Sequence, residues 1–199
     1  TNCTNGSATD NTLGEIVVSG ATSGEIRMGG CVAYVQEVTT SISGFKNYGK
    51  LSNSASTTKT ISMGGVVGRI YNTTNTVTSC ENKGTITNTG TLMTAYMGGK
   101  VGWLHNANTS LDNVSDGGAV TNNGAVTNTK TSGATTYIRL GGIVGYAQGG
   151  TGHAITNATN TVTIKNTKGG NSADIGNSIA DLGGIIGKID QSDLTIGND

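Results

Sequence analysis

The sequence predicts an all-β fold, a right-handed β-solenoid of about five coils in which residues 1–199 form a single repeat region. Three observations predict it. A glycine-pair string recurs five times along the chain. The residues around each copy alternate between apolar and polar, which is the period of a half-buried strand. The composition, with 33 Gly, no Pro and only 12% charged residues in a Thr- and Val-rich background, lacks the net charge and proline of a disordered chain.

The same totals exclude several functions. Twelve basic and twelve acidic residues leave zero net charge and form no run of either sign, so neither nucleic acid nor an anionic membrane surface is expected as a partner. No apolar run approaches the roughly 18 residues of a membrane span, and no signal-peptide pattern is present, so this segment is not expected to insert into a membrane. Cys3, Cys31 and Cys80 lack the spacing of a zinc or redox site and read as small apolar residues, with a disulfide as the alternative. No cofactor is expected.

The repeated string is "MGGCVAYV" from Met28, "MGGVVGRI" from Met63, "MGGKVGWL" from Met97, "LGGIVGYA" from Leu140 and "LGGIIGKI" from Leu182. A phosphate-binding loop ends in Gly-Lys-Ser/Thr and occurs once per site, so copies without that ending point to architecture. Before each glycine pair, Ile26, Ile61, Ala95, Ile138 and Ala180 alternate with Arg27, Ser62, Tyr96, Arg139 and Asp181. After it, Val32, Val67, Val101, Val144 and Ile186 turn inward on the same alternation, which puts Lys100 outward.

A second strand is read from the column Ile42, Val77, Leu111, Val162 and Leu194, and a third from Ile16, Leu51, Ile86 and Val120. Asn47, Asn82, Asp116, Asn166 and Asn198 form a polar column suited to left-handed corners and to a stacked amide ladder that Asp116 interrupts. The glycine pairs admit backbone from another side of the coil, and Gly68, Gly102, Gly145 and Gly187 permit a bulge where the alternation resets. "CTN" from Cys3 is a remnant of the polar turn, so the chain begins and ends at one phase of the repeat, as a segment of a longer array does. A five-bladed β-propeller is the rival fold, but three strands per repeat fall short of the four in a blade.

The GG-[IV]-[VI]-G strings, alternating with a polar N-x-G turn, resemble the GLUG-type repeats of bacterial surface and secreted proteins. They are more loosely similar to the glycine-pair repeats of polymorphic outer-membrane adhesins. The resemblance implies β-helical stalks or passenger regions of adhesins, sometimes beside a separate protease domain. No His-Glu-x-x-His string is present, so protease activity is not implied here. Ala33 departs from the glycine of the other copies, and "NTKGGNSADIG" in the fourth repeat lacks the apolar residue after its turn.

The candidate ligand-binding residues are Tyr34, Arg69, Trp103, Tyr146 and Lys188, which occupy one column after the glycine strings. Aromatics and cations on a solvent-facing ladder either stack on one another as a protective cap or offer flat rings to a sugar or a partner. His105 and His153 read as surface histidines, without a metal-spaced acidic cluster beside either. The carboxylates of Glu15, Glu25, Glu37, Glu81, Asp112, Asp116 and Asp181 are scattered over unlike repeat positions, so no catalytic residue is expected. The longer stretches Gly117–Tyr137 and Gln148–Asn160 are candidate binding loops. The six Asn-x-Ser/Thr strings, at Asn2, Asn5, Asn72, Asn108, Asn113 and Asn157, are what a chain rich in Asn and Thr produces by chance.

The expected function is therefore a non-enzymatic stalk, filament component or adhesin scaffold at the cell surface or outside the cell. Expected partners are other copies joined end to end, or a glycan or protein of the host or environment. The alternatives are a carbohydrate-binding module using an exposed aromatic stripe and, more remotely, a β-helical polysaccharide-degrading enzyme.

Overall fold

A computed structural model describes residues 2–10, 13–118, 120–122, 136–166 and 178–197. The described residues are all β, without a helix, and the strands pair in parallel. Each repeat contributes one strand to each of five five-stranded sheets, so that strand residues lie beside their counterparts in the next repeat.

The methionine sheet contains Ile26–Gly29, Thr60–Gly64, Thr94–Gly98, Thr136–Gly141 and Ser178–Gly183. The aromatic sheet contains Val32–Gln36, Val67–Tyr71, Val101–His105, Val144–Gln148 and Ile186–Asp190. A third sheet contains Thr40–Ser43, Thr74–Thr78, Asn108–Asp112, Thr151–Thr156 and Asp193–Gly197. The two-residue strands Thr4–Asn5, Lys46–Asn47, Glu81–Asn82, Ser115–Asp116 and Thr159–Asn160 make an amide sheet. Ile16–Val18, Leu51–Asn53, Ile86–Asn88, Val120–Asn122 and Ile164–Asn166 make a return sheet.

Five strands per repeat replace the three expected: the glycine pair bends the chain and sends its two flanks into different sheets, and the asparagine column forms a short strand of its own. The register keeps Met28, Met63, Met97, Leu140 and Leu182 in one column, as the alternation requires. The column of the third sheet is Ile42, Val77, Leu111, Ile155 and Ile196, in place of the expected Val162 and Leu194. "TVTIKN" from Thr161 was the source of the displacement: Ile164 in fact continues the return-sheet column of Val120. Similarity of short Thr-rich strings misled the alignment, whereas burial of the apolar residues sets the pairing.

Two clusters form the interior. Ile26, Met28, Leu51, Ile61, Met63 and Ile86 belong to one between the methionine and return sheets, and Val67, Ile70, Val77, Leu104 and Leu111 to the other, lined by the aromatic and third sheets. Burying each large side chain contributes roughly 1.5–3 kcal/mol. The clusters meet where a side chain has no room. A Cβ on Gly102 would lie 2.6 Å from the backbone N of Met63, so the two flanks of neighbouring glycine strings touch through backbone. The alternation does reset here, since Val67 and Ile70 both face the same cluster.

The second glycine of each of the first four pairs, Gly30, Gly65, Gly99 and Gly142, sits against the amide sheet. A Cβ on Gly65 would fall 2.3 Å from the Gly99 carbonyl oxygen and 2.4 Å from Asn82 Cγ. The amides beneath form a ladder in which Nδ2 donates to Oδ1 of the next repeat: Asn5 to Asn47 at 2.8 Å, Asn47 to Asn82 at 2.7 Å, and Asn82 to Asp116 at 2.9 Å. Asp116 does interrupt it, having no N–H to pass on to Asn160, its neighbour in register. Asn160 thus takes the place expected of Asn166, which lies beside Asn122 in the return sheet; Asn198 is outside the described residues. A parallel amide contact in the return sheet joins Asn53 to Asn88 at 2.6 Å.

The left-handed corners expected of the ladder asparagines lie elsewhere. Glu37, Asn72, Asn106, Gly149 and Gln191 have positive φ between the aromatic and third sheets, and Asn2, Gly44, Ser79, Asn113 and Asn157 between the third and amide sheets. The extra length assigned to Gln148–Asn160 reduces to one residue, absorbed by a bulge between Thr151 and His153. Most of the other expected loop, Gly117–Tyr137, and of the departing segment "NTKGGNSADIG" lies outside the described residues. The three cysteines are not joined by disulfides; Cys80 is buried, as a small apolar residue is, whereas Cys3 and Cys31, read the same way from the sequence, are exposed in the first repeat.

Three substitutions test this geometry by thermal or denaturant unfolding. Gly65→Ala should destabilise by more than 3 kcal/mol, in the range of severe core defects, while Gly152→Ala, whose Cβ meets nothing within 4 Å, should be near neutral. Ser79→Asn should stabilise by about 0.5–1 kcal/mol, because Ser79 holds φ at 51° where its column otherwise has Gly or Asn.

Candidate functional site: a cation and aromatic ladder

The column of Tyr34, Arg69, Trp103, Tyr146 and Lys188 exists in register on the aromatic sheet. It meets the outward column of the methionine sheet, Arg27, Ser62, Tyr96, Arg139 and Asp181, across the glycine pair. The two interleave. Arg27 lies over the Tyr34 ring at 4.1 Å, Arg69 over Trp103 at 3.9 Å and Arg139 over Tyr146 at 3.8 Å. Tyr96 packs edge-on against Trp103 at 4.8 Å and against Tyr146 at 4.8 Å.

The stripe expected to face solvent is closed over itself. Trp103 is 8% exposed, Arg69 7%, Tyr96 7% and Tyr146 2%, whereas Tyr34 and Lys188, in the first and last repeats, are half-buried. Each cation–aromatic contact contributes about 0.5–2 kcal/mol, more where water is excluded. Burial of Tyr96 pushes its hydroxyl up to about 12, so it stays neutral. Glu25 accepts from Arg27 and, at 3.0 Å, from Arg69, closing the first repeat's end of the stack. Arg139 donates to Asp181 at 3.3 Å near the other end.

His105 is drawn into the same stack. Its ring lies 4.5 Å from that of Trp103 and nearly parallel, and its Nδ1 accepts from Arg69 at 2.6 Å, since a guanidinium only donates. Burial, and then the Arg69 charge, lower its pKa. His153, expected at the surface, is 1% exposed and bonds the Gly149 carbonyl through Nε2 at 3.0 Å, so burial lowers its pKa as well. Among the described residues no three metal-ligating side chains converge.

Lys100 corrects the sequence reading most sharply. Its backbone pairs place it in the column of Cys31, Val66, Ile143 and Ile185, an otherwise apolar position just after the glycine pair. The bend after Gly99 turns that position inward, so Lys100 is fully buried and its Nζ donates to the Ser115 carbonyl. The next residue is Asp116, the one carboxylate in the amide column; its Oδ2 is buried without a hydrogen bond. The two departures from the repeat therefore lie together, with opposite charges. Desolvation pulls Lys100 down to about 8, opposed by Asp116, Cys80 and Glu81, and pushes Asp116 up to about 6, opposed by the Asn82 hydrogen bond and Lys100.

Sequence reasoning found one half of the stack and missed the other. Arg27, Tyr96 and Arg139 stood in a recognised outward column, but nothing in the spacing said that both columns flank one corner. The signal was Gly68 and its counterparts, whose missing side chains let the two flanks close.

Trp103→Ala should destabilise the chain by about 3–5 kcal/mol in denaturant unfolding, the cost of removing a buried aromatic that covers Arg69. For Lys100 and Asp116 the pH dependence has a definite sign. Asp116 binds its proton more tightly when folded, so stability falls as pH rises from about 3.8 to about 6; Lys100 binds its own less tightly, so stability rises from about 8 to about 10.5. Lys100→Ile with Asp116→Asn should remove both slopes and stabilise the protein at pH 7 by up to about 1–4 kcal/mol, whereas Lys100→Ile alone leaves a buried carboxylate and should destabilise it. The chain matches no family model, no curated protein and no solved structure.

Proposed function

We propose that the chain is a β-solenoid of the GLUG-repeat kind and serves as a non-enzymatic scaffold, the stalk or passenger region of an extracellular or surface adhesin. The observation that carries this reading is the pairing pattern. Like positions of successive repeats lie side by side in five parallel sheets, so each repeat rests on its neighbour. A propeller blade is built instead from consecutive strands in antiparallel order, and the pairings of the described residues are parallel.

Such a chain works mechanically. Its backbone hydrogen bonds run from repeat to repeat, and its side-chain ladders run the same way, so length grows with repeat number while cross-section stays constant. The carbohydrate-binding alternative loses its support from the closed stack, whose rings are occupied by Arg27, Arg69 and Arg139.

Spin labels test the arrangement. Val17 and Lys165 belong to one outward column of the return sheet, in its first and last strands. Labels there, in a background with Cys3, Cys31 and Cys80 replaced, should lie about 19 Å apart, from steps of about 4.8 Å per repeat. A separation near 40 Å would refute the rod. On a glycan array the protein should show no binding that Trp103→Phe removes; such binding would instead establish the carbohydrate-binding reading.

A further inference from the structure

One hydrogen bond of the cation and aromatic ladder depends on a proton. Gln36, Tyr71, His105, Gln148 and Asp190 form a column on the aromatic sheet, two positions beyond the ring column. His105 is the one member of it whose ordinary pKa lies near neutrality. It is half-buried, beside a Trp103 that is 8% exposed.

The charged and titratable groups that face His105 are Arg69, Glu25 and Tyr71. Arg69 Nη2 donates to its Nδ1 at 2.6 Å, while Nη1 of the same guanidinium donates to Glu25 at 3.0 Å. The Tyr71 ring meets the imidazole edge-on at 4.9 Å from one neighbouring strand, and Gln148 lies beside it in register on the other. The imidazole lies 4.5 Å from the Trp103 indole, with 8° between the planes. It is a cover on the indole, fastened by a lone pair.

We propose that His105 is a proton-sensitive clasp on the ladder: on taking a proton at Nδ1 it releases Arg69, turns away from Trp103 and opens that side of the seam to water. The inference goes beyond the scaffold reading and does not depend on it. A guanidinium only donates, and an imidazolium has two donors and no acceptor, so the bond at Nδ1 is lost outright rather than reversed. Two cations then face each other across the former hydrogen bond. Glu25 decides which of them moves. It holds Arg69 through Nη1, with the guanidinium packed over Trp103 at 3.9 Å, whereas the His105 side chain has no second hydrogen bond among the described residues. The exposed left-handed corner at Asn106 follows it directly, so the ring has solvent beside it.

Burial and then the Arg69 charge hold the His105 pKa below its ordinary 6.5, with Glu25 opposing. Because the folded value lies below the unfolded one, the clasp contributes stability that is complete above about 6.5 and lost as pH falls through the folded value.

Trp103 is the single tryptophan of the chain, so its fluorescence reads the clasp directly. Titration from about pH 8 to about pH 5 should change the emission around one midpoint below 6.5, and acrylamide should quench it more strongly on the acid side. His105→Gln should abolish both effects and still fold, because Gln36 and Gln148 already occupy that column. His153 and Asp116 remain in that variant, so any change it retains is theirs. Arg69→Met should move the midpoint up toward 6.5 by removing a charge that opposes the proton. Emission that is flat over this range, a wild-type curve that survives His105→Gln, a midpoint that Arg69→Met leaves in place, or a change in emission without added quenching would overturn the proposal. None of these outcomes touches the spin-label distance, so the clasp can fail while the scaffold reading stands.

Discussion

The structure depends on a close approach: the second glycine of the first four pairs against the amide column of its own repeat. Because Gly65, Gly99 and Gly142 leave no room for a side chain, the carboxamides or carboxylate of Asn82, Asp116 and Asn160 reach within van der Waals contact of the opposite backbone. That contact fixes the width of each repeat at one point. It also forces the bend that sends the two flanks of the string into different sheets. A buried amide there must be satisfied: one N–H bonds the backbone carbonyl two residues on, and the other meets the side chain of the next repeat. In-register stacking then follows from the need to pair them, and the apolar columns follow from stacking.

The outward ladder is a different solution to the same geometry. Where the flanks of the glycine strings touch through backbone, their outward side chains emerge from two sheets into one narrow seam. Long cations and flat rings fill such a seam well, because a guanidinium covers a ring face while its edge keeps ion-pair partners such as Glu25 and Asp181. Lys100 and Asp116 mark the third repeat as the exception. Two substitutions that would each be costly alone occur within one residue's reach of each other, so that the attraction between their charges opposes the desolvation cost of each.

Much of the sheet register was legible because a column of like residues is visible at a fixed offset from a rare string. Ile26, Ile61, Ala95, Ile138 and Ala180 could be aligned by counting from the glycine pair. The alignment failed with distance from it: at Val162 the guide was the resemblance of one Thr-rich stretch to another, and only packing shows that Ile155 is the residue in contact with Leu111. The inward turn of Lys100 was illegible for a stronger reason. Strict alternation holds along a straight strand, and the bend after Gly99 breaks the strand between the residues being counted. The aromatic column was read from sequence, but its closure was not, since that depends on a second column contributed by another sheet.

The seam between the return and methionine sheets behaves unlike the others. It is the place where the described repeats differ in length: residues 19–25, 54–59 and 89–93 bridge it in the first three. The two left-handed corner columns lie on the opposite flank, where the chain length is nearly constant. Each rung thus has one side set by two left-handed corners and another whose crossing varies in length. A residue gained or lost there leaves the pitch and phase of the neighbouring rungs unchanged, so length can drift at that seam without cost to the register.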